Sequence, residues 1–62
     1  MTTFTVVGFA NTEFKMYHFG VHFEEAEQKY HQLIQNGVCS RIVLLEIEED
    51  DTGSVLREFN AP

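Results

Sequence analysis

Few side chains in this sequence could ligate a soft metal or act as nucleophiles. They are His18, His22, His31, Cys39, Ser40 and Ser54. His18 and His22 are four residues apart, but the residues around them alternate as in a strand, where that spacing separates them by about 13 Å and one zinc ion cannot bind both. No zinc spacing, nucleophile elbow or Gly-rich phosphate loop surrounds the others. We therefore expect no catalytic residue, metal site or cofactor, and we expect that the protein is not an enzyme.

The sequence contains one dense cluster of chemically similar side chains, and these are carboxylates. An aliphatic run that begins at Arg41 passes directly into five acidic residues. They are Glu46, Glu48, Glu49, Asp50 and Asp51. The ligand spacing of a calcium loop is absent, and adjacent acids in a turn are more typical of solvated charge than of an acid–base pair. Two interpretations stay open. The acids either block edge-to-edge aggregation of the strand or form a docking surface for an Arg- or Lys-rich protein.

The overall charge narrows the classes of partner. Ten acidic residues against four basic ones give a formal charge of −6, which repels nucleic acid and anionic lipid and favours basic protein surfaces. No stretch approaches the roughly 18 apolar residues of a membrane span, and the N-terminal residues lack the basic start of a secretory signal. The single cysteine suits a reducing compartment. We expect a cytoplasmic protein that contacts neither nucleic acid nor membrane directly.

The hydrophobic pattern predicts the element order β-β-α-β-β. Apolar residues alternate over 3–10 and 14–21, and the Asn11-Thr12 turn between these runs indicates a hairpin. They recur at helical spacing over 23–36, which ends at Asn36-Gly37, and further strands are predicted over 40–48 and 54–59. We expect an α+β fold in two layers, a four-stranded, mainly antiparallel sheet and one helix. Residues 1–62 form one domain in this prediction, with 60–62 as a loose tail.

Strand alternation divides the apolar residues between the two faces of the sheet. Pairing in the hairpin predicts Phe4, Val6, Tyr17, Phe19 and Val21 on one face and Val7, Phe9, Phe14 and Met16 on the other. In the third strand, Ile42 and Leu44 alternate with Val43 and Leu45, and the sequence leaves open which set meets the helix. One helix covers one face. If Ile42 and Leu44 joined Val7, Phe9, Phe14 and Met16 on the other face, that patch would exceed what monomers usually expose, so we expect another subunit or protein to cover it.

In size, acidity, element order and lack of a catalytic motif, the chain resembles small phage-encoded accessory proteins of the antitoxin, anti-restriction and anti-CRISPR type. The resemblance spans the whole chain and implies an anti-defence role in the cytoplasm of a bacterial host. Our leading hypothesis is a small acidic module that binds a protein with a basic surface and inhibits or modulates a bacterial nucleic-acid enzyme or toxin. The alternative is a self-associating structural or assembly protein, a homodimer through the open sheet face. The expected partner-binding residues are Phe9, Phe14, Met16, Glu46, Glu48, Glu49, Asp50 and Asp51.

Overall fold

The computed structural model describes all 62 residues of the chain and has the predicted order of elements. The strands and the helix are β1 (Thr3–Ala10), β2 (Glu13–His18), α1 (Phe23–Asn36), β3 (Arg41–Ile47) and β4 (Gly53–Asn60). The four strands form one sheet in the order β2-β1-β3-β4, and every neighbouring pair is antiparallel. With α1 on one face, this is the two-layer α+β fold that the sequence predicts.

The helix has the predicted bounds and packs against the two central strands. It begins after His22 with no side-chain cap, and Glu24 and Glu25 lie in its first turn, where carboxylates favour the helix dipole. It ends at Gly37, whose φ of 70° is left-handed and whose N–H donates to the carbonyl oxygen of Ile34 at 3.2 Å. Its buried side chains, Ala26, Tyr30 and Leu33, pack against the sheet.

The register of β1 against β3 decides which face of β3 meets the helix. Val6 pairs with Leu44 and Gly8 with Ile42, and both Ile42 and Leu44 are fully buried in one cluster with the inner residues of α1. Of the two sets that the sequence left open, Ile42 and Leu44 therefore meet the helix, and Val43 and Leu45 lie on the other face. Alternation within a strand fixes two sets of side chains but not which set faces the helix, because a shift by one residue exchanges them.

The ends of the second and last strands also differ from the predictions. The second strand ends at His18 rather than at residue 21, because the chain bends at Gly20, whose φ is 57°. Phe19 nevertheless donates its N–H to the Phe4 carbonyl at 2.9 Å. The last strand extends to Asn60, and Ala61 donates its N–H to Ser40 O at 2.8 Å, so the expectation of a loose tail is wrong for these two residues. No helix has the length and apolar character needed to cross a membrane.

Candidate functional site

The face of the sheet opposite α1 has no second layer, and we call it the open face. Its residues follow from the strand registers. They are Thr3, Thr5, Val7 and Phe9 of β1, Phe14, Met16 and His18 of β2, Arg41, Val43, Leu45 and Ile47 of β3, and Gly53, Val55, Leu56, Glu58 and Asn60 of β4. Phe14 is 61% exposed and Met16 is 48% exposed, so β2 presents large apolar side chains to solvent.

The middle of the open face is more buried than its flanks. Thr5, Val7 and Val43 are buried although no layer covers them, because longer side chains surround these small ones. The Thr5 hydroxyl lies 3.0 Å from His18 Nδ1, which gives this buried polar group a hydrogen-bond partner. The most exposed apolar side chains of the open face therefore lie on β2 and β4.

A β-bulge places two apolar residues side by side on the β4 flank. The pairing of β3 with β4 shifts between Leu44 and Leu45, so that Leu44 opposes Arg57 while Leu45 opposes Val55. Leu56 is the extra residue, and in such a bulge two residues of one strand oppose a single residue of its partner. Val55 and Leu56 are both exposed. Sequence alternation missed this pair because the bulge breaks the two-residue period.

The charged groups of the open face neutralise one another. Arg41 Nε donates to Glu58 Oε2 at 3.0 Å, and the Arg41 guanidinium carbon lies 5.5 Å from the centroid of the Phe9 ring. The Phe9 and Phe14 rings are in turn 6.1 Å apart between centroids. The open face thus carries one cation and one anion in a single ion pair, next to two aromatic rings.

The acidic turn, residues 48–52, joins β3 to β4 and is held by its own hydrogen bonds. Glu48 N donates to Thr52 O at 2.9 Å, and Asp51 N donates to Glu48 O at 3.0 Å. The side chain of Asp50 accepts from Thr52 Oγ1 at 2.6 Å and from Thr52 N at 3.1 Å, and these bonds lower the pKa of the Asp50 carboxyl. The same hydrogen bonds that favour the ionised form of Asp50 fix the shape of the turn.

Glu46 and Glu48 form a second linked pair at this end of the sheet. Hydrogen bonding with Glu48, together with desolvation and repulsion between the two charges, raises the pKa of the Glu46 carboxyl above its ordinary value. Thr2 Oγ1 also donates to Glu48 Oε2 at 3.1 Å, and the Met1 amino group contacts Glu49. Met1, Glu48, Glu49, Asp50 and Thr52 line a shallow hollow of about 480 Å³ that carboxylates dominate.

The acids are segregated from the open face. Glu58 is the only one of the ten acidic residues that lies on it. The others lie on α1, on the helix side of the sheet or in the acidic turn. They are Glu13, Glu24, Glu25, Glu27, Glu46, Glu48, Glu49, Asp50 and Asp51.

The basic side chains lie away from the acidic turn. Arg57 is bonded to Glu27 of α1 at 2.6 Å, Arg41 is paired on the open face, and Lys29 lies 4.4 Å from the centroid of the Tyr17 ring. None of these cations lies within ion-pair distance of the turn. The carboxylates of the turn are therefore left to solvent or a partner, apart from the contact of Glu49 with Met1.

The expected partner-binding residues fall into two groups at opposite ends of the sheet. Phe9 pairs with Arg41 and Thr3 with Ile47, so the acidic turn lies six strand positions, or about 20 Å, from Phe9. Phe9, Phe14 and Met16 are together on the open face. Glu46 and the four acids of the turn are together at the other end. The members of each group lie close to one another, but the apolar group and the acidic group are far apart.

The residues considered for metal binding or catalysis do not converge. His18 contacts Thr5, and His22 Nδ1 lies 3.6 Å from Glu25 Oε2. The His31 ring packs against Tyr30, and Ser40 Oγ donates to the carbonyl of Phe9 at 3.3 Å. No three or more histidine, cysteine, aspartate or glutamate side chains form a group that could hold a metal ion.

A groove of about 340 Å³ lies between β2 and the C-terminal end of α1. Gly8, Leu33 and Cys39 form part of its wall. A Cβ atom at Gly8 would lie 2.9 Å from Cys39 Sγ, so the absence of a side chain at Gly8 permits this close approach. No motif in the sequence predicts this groove, and a glycine inside a strand is the one signal that indicates it.

The fold and its surfaces define a small acidic α+β protein with one uncovered apolar face and one anionic end. None of the protein-family models matches the sequence, and no curated protein or solved structure is significantly similar to it.

Proposed function

We propose that this chain is a small acidic protein-binding module whose acidic turn binds a basic surface of another protein. The observation that carries the proposal is the separation of charge. The carboxylates of the turn are exposed, and only Glu49 has a cation of the chain beside it, the Met1 amino group, so a partner's Arg or Lys side chains would meet acids that are mostly unpaired.

The geometry of the turn supports binding rather than simple solvation. The hydrogen bonds between Asp50 and Thr52 hold the backbone in one shape, which lowers the entropy lost when a partner binds. Glu48, Glu49 and Asp50 line one shallow hollow, which a Lys or Arg side chain of a partner could enter. Arg pairs with carboxylates through two parallel hydrogen bonds, so a guanidinium group suits this hollow best.

The partner class that we propose is a bacterial nucleic-acid enzyme or a toxin of similar charge. Such an enzyme binds phosphates through Lys and Arg side chains, and a row of carboxylates can form ion pairs with the same Lys and Arg side chains. Occupation of that surface would inhibit or modulate the enzyme. The charge of −6 favours this association and lowers the affinity of the chain itself for nucleic acid.

Two variants with equal loss of charge test the proposal. The turn variant is Glu48→Gln, Glu49→Gln and Asp51→Asn, and the control variant is Glu13→Gln, Glu24→Gln and Glu25→Gln. The turn variant leaves Asp50 in place, so the hydrogen bonds to Thr52 remain. Immobilised wild type and variants are exposed to a bacterial lysate, and the retained proteins are identified by mass spectrometry.

We expect the wild type and the control variant to retain the same protein, and the turn variant to retain at least about tenfold less of it. Retention by the wild type should also fall as salt is raised, because the contacts are between exposed charges. If the retained protein is a nucleic-acid enzyme, the wild type should inhibit its activity and the turn variant should not. Equal retention by the two variants, or no retained protein, would contradict the proposal.

A further inference from the structure

The open face is a second surface of different chemistry, and its occupant can be argued from charge. We propose that the open face binds a second copy of this chain, so that two sheets pack face to face with the helices outside. The proposal does not rest on the acidic turn, because the two surfaces are about 20 Å apart along the strands.

Charge selects a second copy over a basic partner for this face. A basic protein would be attracted by the acidic residues of the helix layer or of the acidic turn. It would not be attracted by the open face, where the charges of Arg41 and Glu58 cancel each other. Two copies of a chain with a charge of −6 repel each other over the greater part of their surfaces. The open face is the part of the sheet where two copies can approach without bringing unpaired carboxylates together.

The size of the face is close to what a small dimer interface needs. Four strands about 4.8 Å apart and about seven residues long give a face of roughly 19 by 23 Å, or roughly 900 Å² in projection for two copies. Side-chain relief raises the accessible area above the projection, towards the ~1,000 Å² that a biological interface is expected to exceed. Two sheets pack at about 10 Å, and side chains such as Phe14, Met16, Val55 and Leu56 would fill that gap.

Repulsion between the acidic turns fixes the relative direction of the two copies. In a two-fold dimer with its axis along the strands, both turns would lie at the same end. An axis across the strands puts them at opposite ends, about 20 Å or more apart and beyond the Debye length of about 8 Å at physiological salt. The second arrangement is the one that we infer.

Two exposed apolar residues provide a matched pair of variants. Met16 is 48% exposed on the open face, and Val21 is 49% exposed in the loop before α1. Met16→Asp and Val21→Asp each replace a half-exposed apolar side chain by one carboxylate, so they add the same charge. Far-UV circular dichroism of each variant establishes that it is folded before its association is compared.

The test is the mass in solution, measured by light scattering after gel filtration at loading concentrations up to about 1 mM. We expect the mass of the wild type and of Val21→Asp to rise with concentration towards twice the 7.2 kDa of one chain, and Met16→Asp to stay at that single-chain mass. Raising NaCl from about 0.05 to 0.5 M should strengthen the dimer, because salt screens the repulsion between acidic copies. The same rise in NaCl would weaken the binding of a basic partner at the acidic turn, so the two surfaces respond to salt in opposite directions.

Three results would overturn the proposal. One is a wild type that stays at the mass of one chain over the whole concentration range. Another is equal loss of association in the Met16→Asp and Val21→Asp variants. The third is a dimer that dissociates as salt is raised, since that would place charged groups rather than the open face in the interface.

Discussion

Gly8 and Cys39 should be energetically coupled, because a side chain at Gly8 would crowd the Cys39 thiol. A Cβ at Gly8 would lie 2.9 Å from Cys39 Sγ and 3.5 Å from Leu33 Cδ1. Ordinary contacts between such atoms are about 3.5–4.0 Å, so the sulfur would have to move by about 0.6 Å or more. Overpacking of this kind costs about 1–3 kcal/mol, and replacing glycine in a strand returns about 0.5–1 kcal/mol. Gly8→Ala should therefore lower the free energy of unfolding by about 1–2 kcal/mol.

Removing the sulfur should remove the penalty. In a Cys39→Ala background, the remaining contact of the new methyl group is the ordinary one with Leu33, so Gly8→Ala should be neutral or stabilising by about 0.5 kcal/mol. The coupling energy between the two positions is then about 1–3 kcal/mol. Gly53→Ala is the control, because its new methyl group would have no neighbour closer than Glu46 O at 3.9 Å.

The assay is urea unfolding of the four members of this cycle, followed by far-UV circular dichroism. All samples need one fixed protein concentration, since self-association would add to the apparent stability. The reasoning would be refuted if Gly8→Ala were as stable as Gly53→Ala in the presence of Cys39. It would also be refuted if Gly8→Ala lost the same free energy with and without the cysteine.

Three further predictions address the core and the acidic end. Leu44→Ala should cost about 2–5 kcal/mol in urea unfolding because it leaves a cavity under α1, whereas Leu45→Ala on the open face should cost clearly less. Asp51→Gly should raise the urea midpoint, because Asp51 has a φ of 66° that glycine adopts without steric cost, while Asp50→Ala should lower it through loss of the Thr52 hydrogen bonds. The pKa of the Glu46 carboxyl is raised in the folded chain, so the unfolded chain releases this proton at a lower pH than the folded chain does. The free energy of unfolding should therefore fall as the pH rises above 4.5. In urea midpoints measured across this pH range, Glu46→Gln should remove the part of the fall that Glu46 causes.

The elements of the fold could be predicted because their signals are local. The alternation over β1 and the helical spacing of Ala26, Tyr30 and Leu33 each lie within one segment, and the bounds of β1 and α1 agree with the structure. The end at Gly37 also follows from local chemistry, since glycine adopts a positive φ without steric cost.

The side on which β3 meets the helix could not be predicted, because it depends on pairing between strands far apart in sequence. The Val6–Leu44 and Gly8–Ile42 pairs bury Ile42 and Leu44, and only the assembled sheet establishes them. The bulge that exposes Leu56 is likewise a property of paired strands.

The candidate site was predicted in its components but not in its layout. The sequence identified Phe9, Phe14 and Met16 as apolar and the acids near residue 50 as a cluster, but it joined them into one surface. Antiparallel pairing of β1 with β3 puts the hairpin aromatics at the end where β3 begins and the acids at the end where β3 stops. The Arg41–Glu58 ion pair joins two strands, so the neutral charge of the open face also could not be predicted from the sequence.

Contacts between copies test the central claim about the open face most directly. In a mixture of isotope-labelled and unlabelled chains, a filtered nuclear Overhauser experiment detects only protons that are close across the two copies. The account predicts cross-copy signals from the methyl groups of Met16 and Val55 and none from Val21. Cross-copy signals confined to α1 or to the Val21 loop, or no signal at a concentration near 1 mM, would contradict it.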